Sequence, residues 1–114
     1  MTLERDLVSQ CDDIAKAMNA YVEWLGQRRA DKAGQSVGTP DGLLYCGGRC
    51  TPLEFKRAKA ADGTPAGRLS LGQIVAAERR AAQGVETHVI DTAEGFVRVV
   101  NDCRKARGVK RTAG

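Results

Sequence analysis

Residues Gly38 to Lys56 read GTPDGLLYCGGRCTPLEFK, an acidic residue, a short apolar run, a Gly-Gly pair and a second run ending in Glu54-Phe55-Lys56. Such a pattern predicts a β-hairpin, and a two-residue loop at Gly47-Gly48 fixes its antiparallel register. Cys46 then pairs with Arg49, and counting back along both strands sets Asp41 opposite Glu54. Side chains alternate between the two faces, so Lys56 joins Asp41 and Glu54 while Leu53 and Phe55 point the other way. Two carboxylates and an ammonium therefore converge. Like charges facing each other across a sheet are unfavourable, and holding a divalent cation is one role that offsets the cost. Pro52 has no N–H to give to a ladder, which predicts a bulge or an unpaired edge at that point.

Upstream, apolar residues recur every three or four positions from Leu7 through Cys11, Ile14, Met18 and either Tyr21 or Val22 to Leu25. That spacing predicts one amphipathic helix from Leu3 to about Leu25 with a single narrow buried stripe. The stripe suits packing on a sheet or on a second copy of the same helix, with Trp24 as an anchor. Glu4, Asp12, Asp13 and Glu23 lie outside it. From Gly26 to Gly38 the chain is polar, basic and glycine-bearing, as loops are.

Downstream, Arg57 to Arg68 has glycine, proline and cations without periodicity and reads as a surface loop. Ser70 and Gln73 have the spacing of a capping box, opening a helix that buries Leu71, Ile74, Val75, Ala81 and Ala82 and ends near Gly84. Val85 to Ile90 alternates as a short strand. Asp91 with Glu94 is placed to cap a last helix whose stripe is Phe96, Val99, Val100 and Cys103. The segment from about residue 104 is densely basic and expected to fray. The order is helix, hairpin, helix, strand, helix, an α/β arrangement in one domain spanning 1–114. Its last strand can pair in parallel with an earlier one through a crossover.

The chain has 114 residues, 28% of them charged, with a formal net charge of +4 and a pI near 9.1, a balance that favours a polyanionic partner. No run is long and apolar enough to span a bilayer, and the first residues do not form a basic segment followed by an apolar one, so a cytoplasmic location in a bacterial or phage-infected host cell is expected. Four cysteines, Cys11, Cys46, Cys50 and Cys103, are expected as reduced thiols. Cys46 and Cys50 have half of a zinc-site spacing without a second pair. The hairpin sets them on opposite faces, which disfavours a redox pair.

Pro40-Asp41 followed by Glu54-Phe55-Lys56 resembles the PD-(D/E)XK nuclease motif. The wider order, GTPD, LEFK and GRLS with Gln73 three residues on, then the Gly84 to Ile90 stretch and a helix bearing Glu94, is similar to the virus-type replication-repair nuclease (VRR-NUC) family over Gly38 to Val100. The resemblance implies a restriction-endonuclease-like core, a mixed sheet with a β-hairpin flanked by helices. It also implies Mg²⁺- or Mn²⁺-dependent phosphodiester hydrolysis by a homodimer acting on branched DNA such as four-way junctions. Asp41 and Glu54 become metal ligands with the backbone carbonyl of Phe55, Lys56 orients or activates the attacking water, and Gln73 matches the family's helix glutamine. For the family's first-helix acid, Glu4 is the first choice, with Glu23 and Asp12 open. Arg28, Arg29, Lys32, Arg57, Lys59 and Arg68 are candidate DNA contacts. Two features depart from the family, the long basic loop after Lys56 and Pro52 within a strand. Competing readings are a flap or nicking nuclease with the same site, and a non-catalytic basic DNA-binding protein.

Overall fold

Leu7, Cys11 and Ala15 keep helical spacing along α1 (Glu4–Ala17), and all three are buried. The computed structural model describes residues 4–25, 38–59, 61–63 and 66–113, apart from the side chains of Glu4 and of 106–113. The helix expected to reach Leu25 stops at Ala17. Asn19 takes a left-handed conformation (φ 58°) and Ala20 N–H closes onto the Ala15 carbonyl at 2.8 Å, a helix-ending geometry. The chain then enters an edge strand, β1 (Tyr21–Trp24), with Val22 buried and Tyr21 and Glu23 exposed. Apolar spacing could not reveal the break, because Val22 in the strand and Leu25 just after it fall where a continuing helix would also place apolar residues.

β2 (Gly42–Cys46) and β3 (Arg49–Phe55) form the expected hairpin. Gly47 (φ 65°) and Gly48 (φ 79°) both lie in the left-handed region, as the tight two-residue turn demands. Cys46 pairs with Arg49, Tyr45 with Cys50, and so on to Gly42 with Leu53. Pro52 sits opposite Leu43 with no bulge. The reason lies in the backbone directions. Asp41 N–H donates to the Leu53 carbonyl and Lys56 N–H to the Ile90 carbonyl, so odd-numbered residues of β3 direct their polar groups at β2 and even-numbered ones toward the opposite edge. Pro52 thus turns its nitrogen to that edge, ahead of Leu53, where pairing with β4 begins. No ladder bond is lost.

β4 (His88–Ile90) runs parallel to β3 after α2 (Leu71–Ala82), completing a four-stranded mixed sheet in the order β1-β2-β3-β4. It is shorter than the strand expected from Val85, since only Leu53 to Phe55 have their far edge paired. α3 (Ala93–Ala113) follows, capped by Thr92 rather than Asp91: the Thr92 hydroxyl accepts from Gly95 N–H at 3.0 Å. Its backbone stays helical to Ala113, beyond the point where fraying was expected, and the tail side chains from 106 lie outside the described residues.

The core lies on one face of the sheet. Leu44, Leu53, Phe55 and Ile90 meet Leu7 and Cys11 of α1 and Phe96, Val100 and Cys103 of α3. The α1 stripe is therefore covered within the chain. Trp24 packs on Phe55 with centroids 5.2 Å apart and donates its indole N–H to Asp12 at 2.9 Å, so it anchors the chain's own first helix. Among the described residues the fold is α/β, with three helices flanking a four-stranded mixed sheet. Among the described residues no helix is long and apolar enough to cross a membrane.

The turn offers a clean test of backbone strain, because a Cβ added at Gly48 meets nothing within 4 Å while its φ of +79° disfavours any branched residue. Gly48→Val should lower stability by about 1–2 kcal/mol, and Gly48→Asn by less, in urea unfolding at equilibrium.

Candidate functional site

Continuing the hairpin register one step past Gly42 and Leu53 brings Asp41 opposite Glu54. Both carboxylates are buried, at 5% and 1% exposure. Asp41 is held from several sides: its N–H donates to the Leu53 carbonyl, its carbonyl accepts from Leu25 N–H, and its Oδ2 accepts from Phe55 N–H at 2.7 Å. Burial raises its carboxyl above the usual 3.8, against the Phe55 N–H and the nearby Lys56 ammonium, which both favour the charged form. Lys56 is half-buried, and its position beside Asp41 agrees with the alternation expected from sequence.

Glu54 meets α2. Gln73 Nε2 donates to Glu54 Oε1 at 3.1 Å, and Arg80 Nη2 lies 4.0 Å from Glu54 Oε2. Gln73 also completes the capping box: its Oε1 accepts from Ser70 N–H at 2.9 Å, and its own N–H donates to the Ser70 hydroxyl at 3.2 Å. One residue thus does both jobs, since the cap uses the amide oxygen and Glu54 uses the amide nitrogen.

Arg80 escaped the sequence reading. Two helical turns beyond Gln73, it shares that residue's face, and its Nε donates to Thr87 Oγ1 at 2.8 Å and its Nη1 to the Gly38 carbonyl at 3.3 Å. It links the approach to Asp41, the approach to β4 and Glu54. The available signal was the seven-residue offset from Gln73, which has no meaning until the orientation of α2 is known. That orientation overturns an expectation: Leu71, Ile74, Val75, Ala81 and Ala82 are exposed, and no residue of α2 is fully buried. The polar face turns inward because a buried carboxylate needs partners more than three aliphatic side chains need cover. Gly38 allows the approach, since a Cβ there would collide with Ala76.

The other candidates separate. Asp12 pairs with the Trp24 indole and, at 3.1 Å, with Lys16. Glu23 belongs to β1 rather than to a helix, and accepts from the Tyr45 hydroxyl at 2.8 Å. The Glu4 side chain and all of Arg28, Arg29 and Lys32 lie outside the described residues. Arg57 is half-buried and Lys59 and Arg68 are exposed. Gly67 N–H donates to the Arg57 carbonyl at 2.7 Å, which returns Arg68 to the end of β3. All four cysteines are free, with Cys11, Cys46 and Cys103 buried and Cys50 exposed on the opposite face from Cys46. A cavity lined by Arg49, Cys50, Thr51 and His88 among others lies at the far end of β3 and includes neither carboxylate.

The donor set suits a hard, sparsely ligated cation. The Phe55 N–H points at Asp41, so its carbonyl lies along the same strand edge, adding a third oxygen to the two carboxylates. Among the described residues no group of three or more His, Cys, Asp and Glu gathers. One or two carboxylates completed by water and phosphate oxygens is the pattern of Mg²⁺.

Because folding raises the Asp41 pKa, the folded state binds the proton more tightly, and stability falls as pH rises from 3.8 through the raised value. In metal-free buffer Asp41→Asn should match the parent in strong acid and exceed its Tm at pH 7 by on the order of a few degrees, measured by calorimetry across pH. Arg80→Ala should cost about 1–3 kcal/mol in urea unfolding, since it removes a guanidinium from beside the buried Glu54 carboxylate and with it the bonds to Thr87 Oγ1 and the Gly38 carbonyl.

No protein family, curated protein or solved structure matches the chain.

Proposed function

We propose that this chain is a Mg²⁺- or Mn²⁺-dependent DNA endonuclease with a restriction-endonuclease-like core, a member of the VRR-NUC group of PD-(D/E)XK nucleases serving phage-type replication or repair. The observation that carries the reading is the buried Asp41 and Glu54 pair beside Lys56, with Gln73 docked on Glu54. Burying two carboxylates opposite each other on neighbouring strands costs stability, and a bound cation between them would offset it beyond what Gln73 and Arg80 do for Glu54 alone. A strand position serving only structure would favour an apolar residue.

The metal would be held by Asp41, Glu54 and the Phe55 carbonyl, and would supply charge neutralisation at the phosphate and a more acidic water. Lys56 places an ammonium beside Asp41, where it hydrogen-bonds either the attacking water or a non-bridging phosphate oxygen. Gln73 holds Glu54 Oε1 and so fixes the rotamer of the carboxylate beside Asp41. Arg80 limits the electrostatic cost of that carboxylate before substrate arrives. Arg57, Lys59 and Arg68, immediately beyond Lys56, supply cations for backbone phosphates by a salt-sensitive mechanism.

Branched DNA as substrate and a homodimer as the working form belong to the same proposal, since symmetric cleavage of a four-way junction needs two sites. With the α1 stripe covered internally, the surface that favours a second copy is the exposed row Leu71, Ile74 and Val75 on α2. Sedimentation at micromolar protein should give a dimer.

The test is cleavage of labelled four-way junction, flap and linear duplex with Mg²⁺, Mn²⁺ or EDTA. Asp41→Ala and Lys56→Ala should each lose about 100-fold or more in rate, and Gln73→Ala about ten-fold. Folded protein that binds all three substrates and cleaves none in either metal would overturn the enzyme and leave a DNA-binding protein.

A further inference from the structure

The chain has five aromatic residues, two Phe, two Tyr and one Trp. Phe55 and Phe96 are fully buried and Trp24 packs against the core. Both tyrosines are at the surface, and they are neighbours: Tyr21 is 61% exposed, Tyr45 38%, and they are direct partners across β1 and β2. Their rings stack with centroids 5.6 Å apart and planes within 22°.

We propose that the Tyr21–Tyr45 pair is a stacking platform for an unpaired nucleobase of the DNA on which the Asp41 and Glu54 site acts. This rests on the nuclease reading and names the part of the substrate that the site's own face receives. Alternation along β2 puts Tyr45, Leu43 and Asp41 on one face, and along β3 Cys50, Pro52 and Glu54 share it. Tyr45 and Asp41 are four residues apart on that face, about 13 Å at strand spacing. A strand lying along the face reaches both.

A cross-strand tyrosine pair also supports its hairpin, but that role calls for contact between the rings and not for an open outer face. Here the platform is preorganised. The Tyr45 hydroxyl donates to Glu23 Oε1 at 2.8 Å, which orients the ring. The same contact pushes the phenol up to about 12. Charge decides what fits. Glu23 beside the rings repels a phosphate, whereas Lys56 lies beside Asp41 at the other end, with Arg57 next to it in the chain and Arg68 returned there by the Gly67 to Arg57 bond. The face therefore takes a neutral flat ring at one end and phosphates at the other. Bases inside a duplex hide their π-faces, so the platform selects single-stranded or terminal nucleotides, and it does so without regard to base identity.

The test uses the full chain in EDTA, where binding is read apart from cleavage. One probe is a duplex with a single-stranded overhang carrying 2-aminopurine; the other is a duplex of the same paired sequence capped at both ends by non-nucleotide linkers, so that it has no unpaired nucleotide. Tyr21→Leu keeps the apolar bulk and removes the π-face. It should weaken overhang binding about ten-fold, abolish the quenching of 2-aminopurine and leave the capped duplex unchanged, and Tyr21→Phe should restore both losses. Matching urea transitions for the variants exclude a folding effect. Equal binding of the overhang by the parent and Tyr21→Leu, or equal loss on both probes, would overturn the platform. If the platform result holds but no substrate is cut in metal, the nuclease reading fails and the base-binding site stands. If cleavage holds and Tyr21→Leu changes nothing, the platform alone fails.

Discussion

A carboxylate buried in the middle of a sheet constrains this molecule more than any other group. Glu54 is 1% exposed, and it occupies a strand whose neighbours Leu53 and Phe55 face the apolar core. Removing such a charge from water costs several kcal/mol, about as much as a domain of this size has in total stability. The compensation comes from α2, through the Gln73 amide and the Arg80 guanidinium. Because Arg80 also holds the Gly38 carbonyl and Thr87, the chain on both sides of the hairpin is drawn to the same helix. The placement of α2 is a consequence of Glu54, and its outward apolar residues are a consequence of that placement.

The opposite face has ordinary physics. α1 and α3 cover Leu44, Leu53, Phe55 and Ile90; the stripe read for α3 is buried throughout, while along α1 Leu7 and Cys11 are buried with Ala15, and Ile14 and Met18 are half-buried against the same core. The two faces therefore divide the work, one supplying stability by hydrophobic burial and the other holding charge near the surface. The hairpin joins them. Its glycine turn sets which strand positions face which side, and a register slip of one residue would put Leu53 and Phe55 at the cleft and the carboxylate in the core.

Much of the site was legible because it is local. The positions of Asp41, Glu54 and Lys56 follow from a two-residue turn and strand alternation, both short-range properties of the chain. Gln73 was legible as a capping residue for the same reason, whereas its contact with Glu54 depends on where α2 lies against the sheet. The misreadings arose where a pattern had two physical origins. Apolar spacing continued through Asn19 from helix into strand, Asp91 and Thr92 were both able to cap α3, and apolar residues on α2 were assigned to a core that lies on the other face of the sheet.

The sequence by itself determined the hairpin register, the face shared by the two carboxylates and the lysine, the helix caps at Ser70 and the buried stripes of α1 and α3, because each depends on residues within a few positions of one another. Only the tertiary structure decided that Tyr21–Trp24 is an edge strand, that Pro52 rests harmlessly ahead of β4, that α2 turns its polar face inward, and that Arg80 belongs to the site. Each of these depends on which distant backbone lies alongside. The buried charge of Glu54 settles that question for α2, and no spacing along the chain encodes it.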